Sequence, residues 1–268
     1  MGQRNDAQKE VSALQLVTGT LGKLLFLFAF GIVFFFFVNR TAQGVKLQIR
    51  RIAGFDALDE AIGRCTEMGR PVHYTFGIGE LDANVLASFD VLSYVAGQCA
   101  RMDTDLIVTN ALGEVQMMTE EIVRGAYVQV GKPDSYKPDN VRFVSNVQTA
   151  YMSAILGIFQ RERPGANLMM GPFYAESMML AEAGAQIGAI QVGGTGRVIQ
   201  VPFFIAACDY TLVGDEMFVA GAYISRKPVQ VGAIYAQDFG KWLTLVLIVV
   251  GTILATSGNN TITNLMKK

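Results

Sequence analysis

Residues 69–82 read Gly69-Arg70-Pro71-Val72-His73-Tyr74-Thr75-Phe76-Gly77-Ile78-Gly79-Glu80-Leu81-Asp82. The order is breaker, short β-rich run, glycine turn, and an acidic residue suited to start a helix. Gly-Arg-Pro stops a leading helix expected from Phe55 to Met68. Tyr74 and Phe76 then mark a strand, and Asp82 can cap the helix that follows. The same alternation recurs downstream. Leu106 to Thr109, Val141 to Val144, Leu168 to Met170 and Ile190 to Val192 read as further strands. Between them, apolar residues fall at three- and four-residue spacing, as in Val85, Phe89, Leu92, Val95 and Cys99 or Val115, Met118, Ile122 and Ala126.

Short strands separated by helices imply βαβ units around a mainly parallel sheet flanked by helices, a Rossmann-like α/β fold. Strand one carries more polar residues than a central parallel strand usually does. From Val201 to Arg226 the chain is very apolar, and a helical hairpin packed on the sheet is expected there.

Two charge-free apolar runs lie outside this region, Leu24 to Val38 and Trp242 to Thr256. Each spans about 22 Å as a helix, and weakly polar flanks with Lys23 and Lys241 extend it toward the ~30 Å hydrocarbon core. The first run has no small-residue cleavage site at its end and reads as an uncleaved anchor. The expected organisation is an N-terminal tail over 1–22, a transmembrane helix over 23–39 and a soluble domain over 40–238. A second transmembrane helix follows over 239–257, then a tail over 258–268.

The chain is 51% hydrophobic and 17% charged, with a net charge of −1, which speaks against nucleic acid as a partner. Its three cysteines form no C-x-x-C pair and suit a reducing compartment. Arg40, Lys46, Arg50 and Arg51 follow the first run, so the positive-inside rule puts the domain on the cytoplasmic side of an inner membrane. One histidine excludes a His-rich metal site, and neither a metal nor a cofactor is expected.

Candidate site residues cluster after the strands. Gly77 and Gly79 stand where a Rossmann domain holds a pyrophosphate, but Asp82 takes the third glycine's place and would repel an anion. Gly193, Gly194 and Thr195 are expected in an open loop after strand five, with backbone N–H groups available to a ligand. Tyr174 and Glu176 stand between strand four and its helix, where Glu176 is favoured by the helix dipole alone. Ser177 lacks an adjacent base, because His73 is the only histidine and lies on strand one, so no catalytic residue is assigned.

Three blocks carry a family resemblance. They are Asp59-Glu60-Ala61-Ile62-Gly63-Arg64 with Glu67 to Val72, Phe173-Tyr174-Ala175-Glu176-Ser177, and Pro202-Phe203-Phe204-Ile205-Ala206-Ala207-Cys208-Asp209-Tyr210-Thr211. The chain resembles a family of uncharacterised prokaryotic membrane-anchored proteins known chiefly as a domain of unknown function. The resemblance implies an integral-membrane α/β protein and brings no activity, substrate or catalytic residue. Two expectations about function follow. The first is a non-catalytic scaffold, or subunit of an oligomeric membrane assembly, self-associating or docking a partner membrane complex. The second is a ligand-binding sensor or enzyme using the crevice at the strands' carboxyl ends.

Overall fold

The computed structural model describes residues 21–43, 53–225 and 228–257. The expected tails, apart from Leu21 and Gly22, lie outside the described residues, as do the basic residues Lys46, Arg50 and Arg51. The chain divides into two units, one covering Ile49–Arg226 and the other joining Met1–Gln48 to Lys227–Lys268.

The larger unit is an α/β sandwich on a six-stranded parallel sheet of order β3-β2-β1-β4-β5-β6. Helix α2 (Ala53–Met68) leads into β1 (Val72–Thr75), and α3 (Ala83–Met102), β2 (Leu106–Asn110), α4 (Gly113–Val130) and β3 (Val141–Phe143) follow. The second half runs α5 (Gln148–Glu162), β4 (Ala166–Met170), α6 (Glu176–Gln186), β5 (Ile190–Thr195), α7 (Val201–Ala207), β6 (Tyr210–Val213) and α8 (Asp215–Ser225). Val72, Tyr74, Leu106, Val108, Leu168, Met170, Val192 and Leu212 pack on the face covered by α2, α3, α4 and α8. On the other face, Met169 and Phe173 meet Tyr151, Ile155 and Phe159 of α5, Leu180 of α6 and Phe204 of α7. The strand order reverses between β1 and β4, so their following loops diverge to opposite faces and leave a switch point at the carboxyl edge.

The polar character of strand one has a structural cause. β1 is central, pairs with both β2 and β4, and all four of its residues are buried. Its alternation sends Val72 and Tyr74 into the larger core and turns His73 and Thr75 to the opposite face, where other strands supply polar partners.

The helical hairpin expected over Val201 to Arg226 is corrected. A sixth strand divides the run, so α7 and α8 cover opposite faces of the sheet. The acidic residues mark the boundaries. Asp209 is bonded to Gln191 through both backbone and side chain just before β6, its carboxylate accepting from Gln191 N at 2.8 Å. Asp215 and Glu216 occupy the first turn of α8, where the helix dipole favours them.

The smaller unit pairs α1 (Leu21–Ala42) with α9 (Pro228–Thr256). They run antiparallel. A Cβ on Gly232 would come within 2.7 Å of Val38 Cα, and one on Gly240 within 2.7 Å of the Phe30 ring. Phe37 stacks on Tyr235 with ring centroids 6.3 Å apart. One transmembrane helix was expected at each end, but among the described residues only one helix, Pro228–Leu254, is long and apolar enough to cross a membrane. The N-terminal apolar stretch, Phe26–Ala42, is shorter, and Arg40 lies in its last turn. The C-terminal helix also begins well before the span start expected at 239, because Pro228 opens it and nothing between there and Asp238 breaks it.

Candidate functional site

The switch point brings the loop after β1 against the loop after β4. Gly77 has φ +78°, and a Cβ there would lie 2.9 Å from both the Phe173 ring and the Pro172 carbonyl oxygen. A Cβ on Gly79 would lie within 2.6 Å of the Pro172 ring, and Gly79 N donates to Pro172 O at 3.0 Å. Both glycines therefore admit the neighbouring loop, in the space where a pyrophosphate would approach a Rossmann turn.

The helix that follows is already capped. Asp82 Oδ1 accepts from Asn84 N at 2.8 Å and from Val85 N at 3.2 Å. Its Oδ2 accepts from Asn84 Nδ2 at 2.9 Å and pairs with Arg197 Nη2 at 3.4 Å. Across the switch point, Glu176 opens α6, fully buried, with Oε1 accepting from Tyr174 N at 3.0 Å and Oε2 from Gln148 Nε2 at 2.8 Å. The anion-suited N–H groups at the start of α3 thus hold a carboxylate of the chain itself, and a second carboxylate occupies the loop before α6.

Gly193, Gly194 and Thr195 were expected in a loop; they are the last residues of β5. Gly193 and Gly194 pair with β4 on one side and β6 on the other, and Thr195 pairs with β6. The strand runs longer than its apolar core because the sheet needs glycine here. Phe204 of α7 packs over Gly193, while Met170 and Met217 close on Gly194. Beyond the strand, Gly196 N donates to Asn84 Oδ1 at 2.9 Å and Arg197 N to Thr195 Oγ1 at 3.1 Å. Arg197 stacks over the Tyr174 ring, 5.0 Å from its centroid. Of the expected site residues, Gly77, Gly79, Tyr174 and Glu176 meet around the switch point, whereas Gly193, Gly194 and Thr195 are built into the sheet.

Asn84, Arg197 and Gln148 complete this edge and were not singled out from the sequence. Nor was the row of polar side chains beneath it. His73, Asn167 and Gln191 occupy paired positions on β1, β4 and β5. Gln191 Nε2 donates to the Ala189 carbonyl at 2.9 Å, which turns Gln191 Oε1 toward Asn167 Nδ2 at 2.8 Å. Asn167 Oδ1 then faces His73 Nδ1 at 2.8 Å, so the ring carries its proton on Nδ1 and accepts on Nε2 from the Thr109 hydroxyl at 3.0 Å. Tyr151 bonds to Thr75, whose hydroxyl lies 3.5 Å from Gly77 N and joins the row to the switch-point turn. Both nitrogens of His73 are taken. It is not free to act as a base for Ser177, whose hydroxyl donates to Tyr174 O at 2.9 Å and lies 3.1 Å from the Gln200 amide.

Burial pushes the His73 imidazole down to about 4, only partly offset by the Asn167 bond. In the unfolded chain it titrates near 6.5. Between those values the unfolded state binds a proton that the folded state refuses. This contribution to stability is complete above about pH 6.5 and disappears as the pH falls toward 4. The gap corresponds to roughly 3 kcal/mol. Urea unfolding of the detergent-solubilised protein at pH 7 and pH 4.5 should show the loss, with His73→Gln much flatter; equal slopes for the two proteins would refute it.

The thiols offer no nucleophile. Burial raises Cys65 and Cys208 to about 12 and pushes Cys99 up as well. Among the described residues, no group of three or more His, Cys, Asp or Glu side chains is arranged to hold a metal ion.

The chain matches the model of a family described as a domain of unknown function (DUF6754) over residues 13–266, nearly its whole length, and so belongs to that family. No curated protein and no solved structure matches it.

Proposed function

We propose that this chain is a non-catalytic, membrane-anchored α/β subunit of an oligomeric membrane assembly. The observation that carries this reading is the self-occupied switch point. Asp82 takes the Asn84 and Val85 N–H groups at the start of α3, Glu176 takes the Tyr174 N–H in the loop before α6, and Pro172 and Phe173 fill the space against Gly77 and Gly79. An anionic cofactor would have to displace two carboxylates and a packed loop. The edge serves to hold β1, β4 and β5 together.

Anchoring by two spans is supported by what α1 and α9 leave uncovered. Leu27, Phe28, Ile32 and Phe35 on α1 are exposed, as are Trp242, Ile248 and Ile253 on α9. Such continuous apolar surface is stable in hydrocarbon and costly in water. The 22 residues of α1 cover about 33 Å as a helix, of which the apolar stretch Phe26–Ala42 covers about 26 Å, so α1 would cross beside α9 with its charged ends among the headgroups. Arg40 at the end of α1 and three free cysteines favour a cytoplasmic domain at an inner membrane. Ser135→Cys, on an exposed turn, should resist an impermeant thiol reagent in intact cells and react after lysis. Labelling of intact cells would reverse the orientation.

The functional test uses the full chain in detergent. Light scattering should give a mass above the monomer or a co-purifying membrane partner, and a panel of nucleotides and dinucleotides should leave Tm unchanged. A partner-free monomer stabilised by several degrees by one panel member would favour the other reading, a small-ligand or nucleotide-binding sensor or enzyme at the same crevice.

A further inference from the structure

Residues 198–208 read Val-Ile-Gln-Val-Pro-Phe-Phe-Ile-Ala-Ala-Cys and hold no charge. Within them only Gln200 and Phe204 are buried. The segment opens on a turn closed by Gln200 N donating to Arg197 O at 2.9 Å. Both ends of the turn are pinned. Gly196 N is held by Asn84, Arg197 by Tyr174 and Asp82, and the Gln200 side chain by Ser177. Between the pins stand Val198 and Ile199, 83% and 81% exposed. Turn centres favour Gly, Asn, Asp, Ser or Pro for conformational reasons, and two β-branched aliphatic residues gain nothing locally from this position.

The apolar surface continues onto the adjoining helices. Phe203 and Ile205 of α7 are exposed, as are Met178 and Met179 of α6, and the two helices pack together on one face of the sheet. These six side chains present roughly 600 Å², at the upper end of the largest apolar patch a monomer carries and near the lower end of what one partner buries in a stable interface.

Resting on the assembly reading above, we infer that this surface pairs with the same surface of a second copy of the chain. A two-fold interface brings each residue near the axis against its own copy, so a charged patch would repel itself. Residues 198–208 carry no charge, and neighbouring Arg197 is neutralised by Asp82. Phe, Met, Ile and Val form a centre with the composition of an interface core, and exposed Glu182, one turn beyond Met178, stands at its margin. A surface lying on lipid headgroups is rich in Lys and Arg on its polar face, and this segment has neither. The pinned turn holds its two side chains before contact, which lowers the ordering cost of association.

The test compares the full-length chain with Phe203→Glu and Ile205→Glu in detergent and in nanodiscs, by mass. Both positions are exposed, so each variant should keep the wild-type circular dichroism and Tm. Self-association should weaken at least tenfold. Mixing differently tagged Ile205→Glu and Ile205→Lys chains should restore co-purification. Wild-type mass in both glutamate variants would overturn this surface and leave the assembly reading standing. A wild-type chain monomeric and without a partner in both media would sink both. A monomer in nanodiscs whose Ile199→Trp side chain, in a Trp242→Phe background, is quenched by brominated lipid would reassign the surface to the bilayer.

Discussion

Replacing Asn167 with Leu is expected to destabilise the α/β unit by roughly 2–6 kcal/mol, because it orphans two buried groups at about 1–3 kcal/mol each. One is His73 Nδ1–H, which loses its acceptor; the other is Gln191 Oε1, which loses its donor. Both lie in the sheet interior, where no solvent can replace the missing partner. Leucine shares asparagine's branching, so no cavity forms, and its bulkier methyl groups at the former 2.8 Å contacts add overpacking to the electrostatic cost. Thr109→Val removes the donor to His73 Nε2 and the hydroxyl's bond to Tyr151, but orphans no amide, and should cost about half as much. Chemical unfolding of the detergent-solubilised protein can rank the two. A value for Asn167→Leu within 0.5 kcal/mol of wild type would mean that the row is dispensable.

That row also marks a limit of the sequence reading. The alternation of strands and helices was legible because each core strand is a short apolar run between breakers, and Gly69 and Gly131 terminate helices in the left-handed conformation that glycine favours, while Arg163 takes it just before Pro164. Strand six was hidden. Its four residues bury only Leu212 and sit between two apolar helices, so no two-residue period stands out. Asn167 was missed because it precedes the apolar Leu168-Met169-Met170 from which strand four was read. Its signal was a polar residue in the same row of three neighbouring strands, visible only once the strand order is known. Gly77, Gly79, Tyr174 and Glu176 gather at the switch point, but what each glycine faces depends on tertiary neighbours. Asp82 was the one informative local sign, since a carboxylate at a helix start satisfies the donors that a phosphate would need.

Gly77→Ala is expected to destabilise the unit by roughly 2–5 kcal/mol, about 1–2 from forcing a side chain into a left-handed backbone and about 1–3 from overpacking. The two costs share one cause, the approach of Pro172 and Phe173. At Gly79 the clash is worse, since a methyl group would meet the Pro172 carbonyl oxygen and ring at 2.5–2.6 Å. Moving that loop also disturbs Tyr174 N, the donor to Glu176, so the damage crosses the switch point. Controls separate packing from backbone. Gly69 has φ +62° but open space around it, so Gly69→Ala should cost only about 1–2 kcal/mol. Gly113, at the start of α4 with nothing near and no positive φ, should be neutral or slightly stabilised by alanine. The packing reading therefore orders the losses Gly77 and Gly79 above Gly69 above Gly113, all measured in protein without added ligand. A ligand-binding turn behaves differently. Its glycines would tolerate alanine in the free protein, and the loss would emerge only when a nucleotide failed to raise Tm.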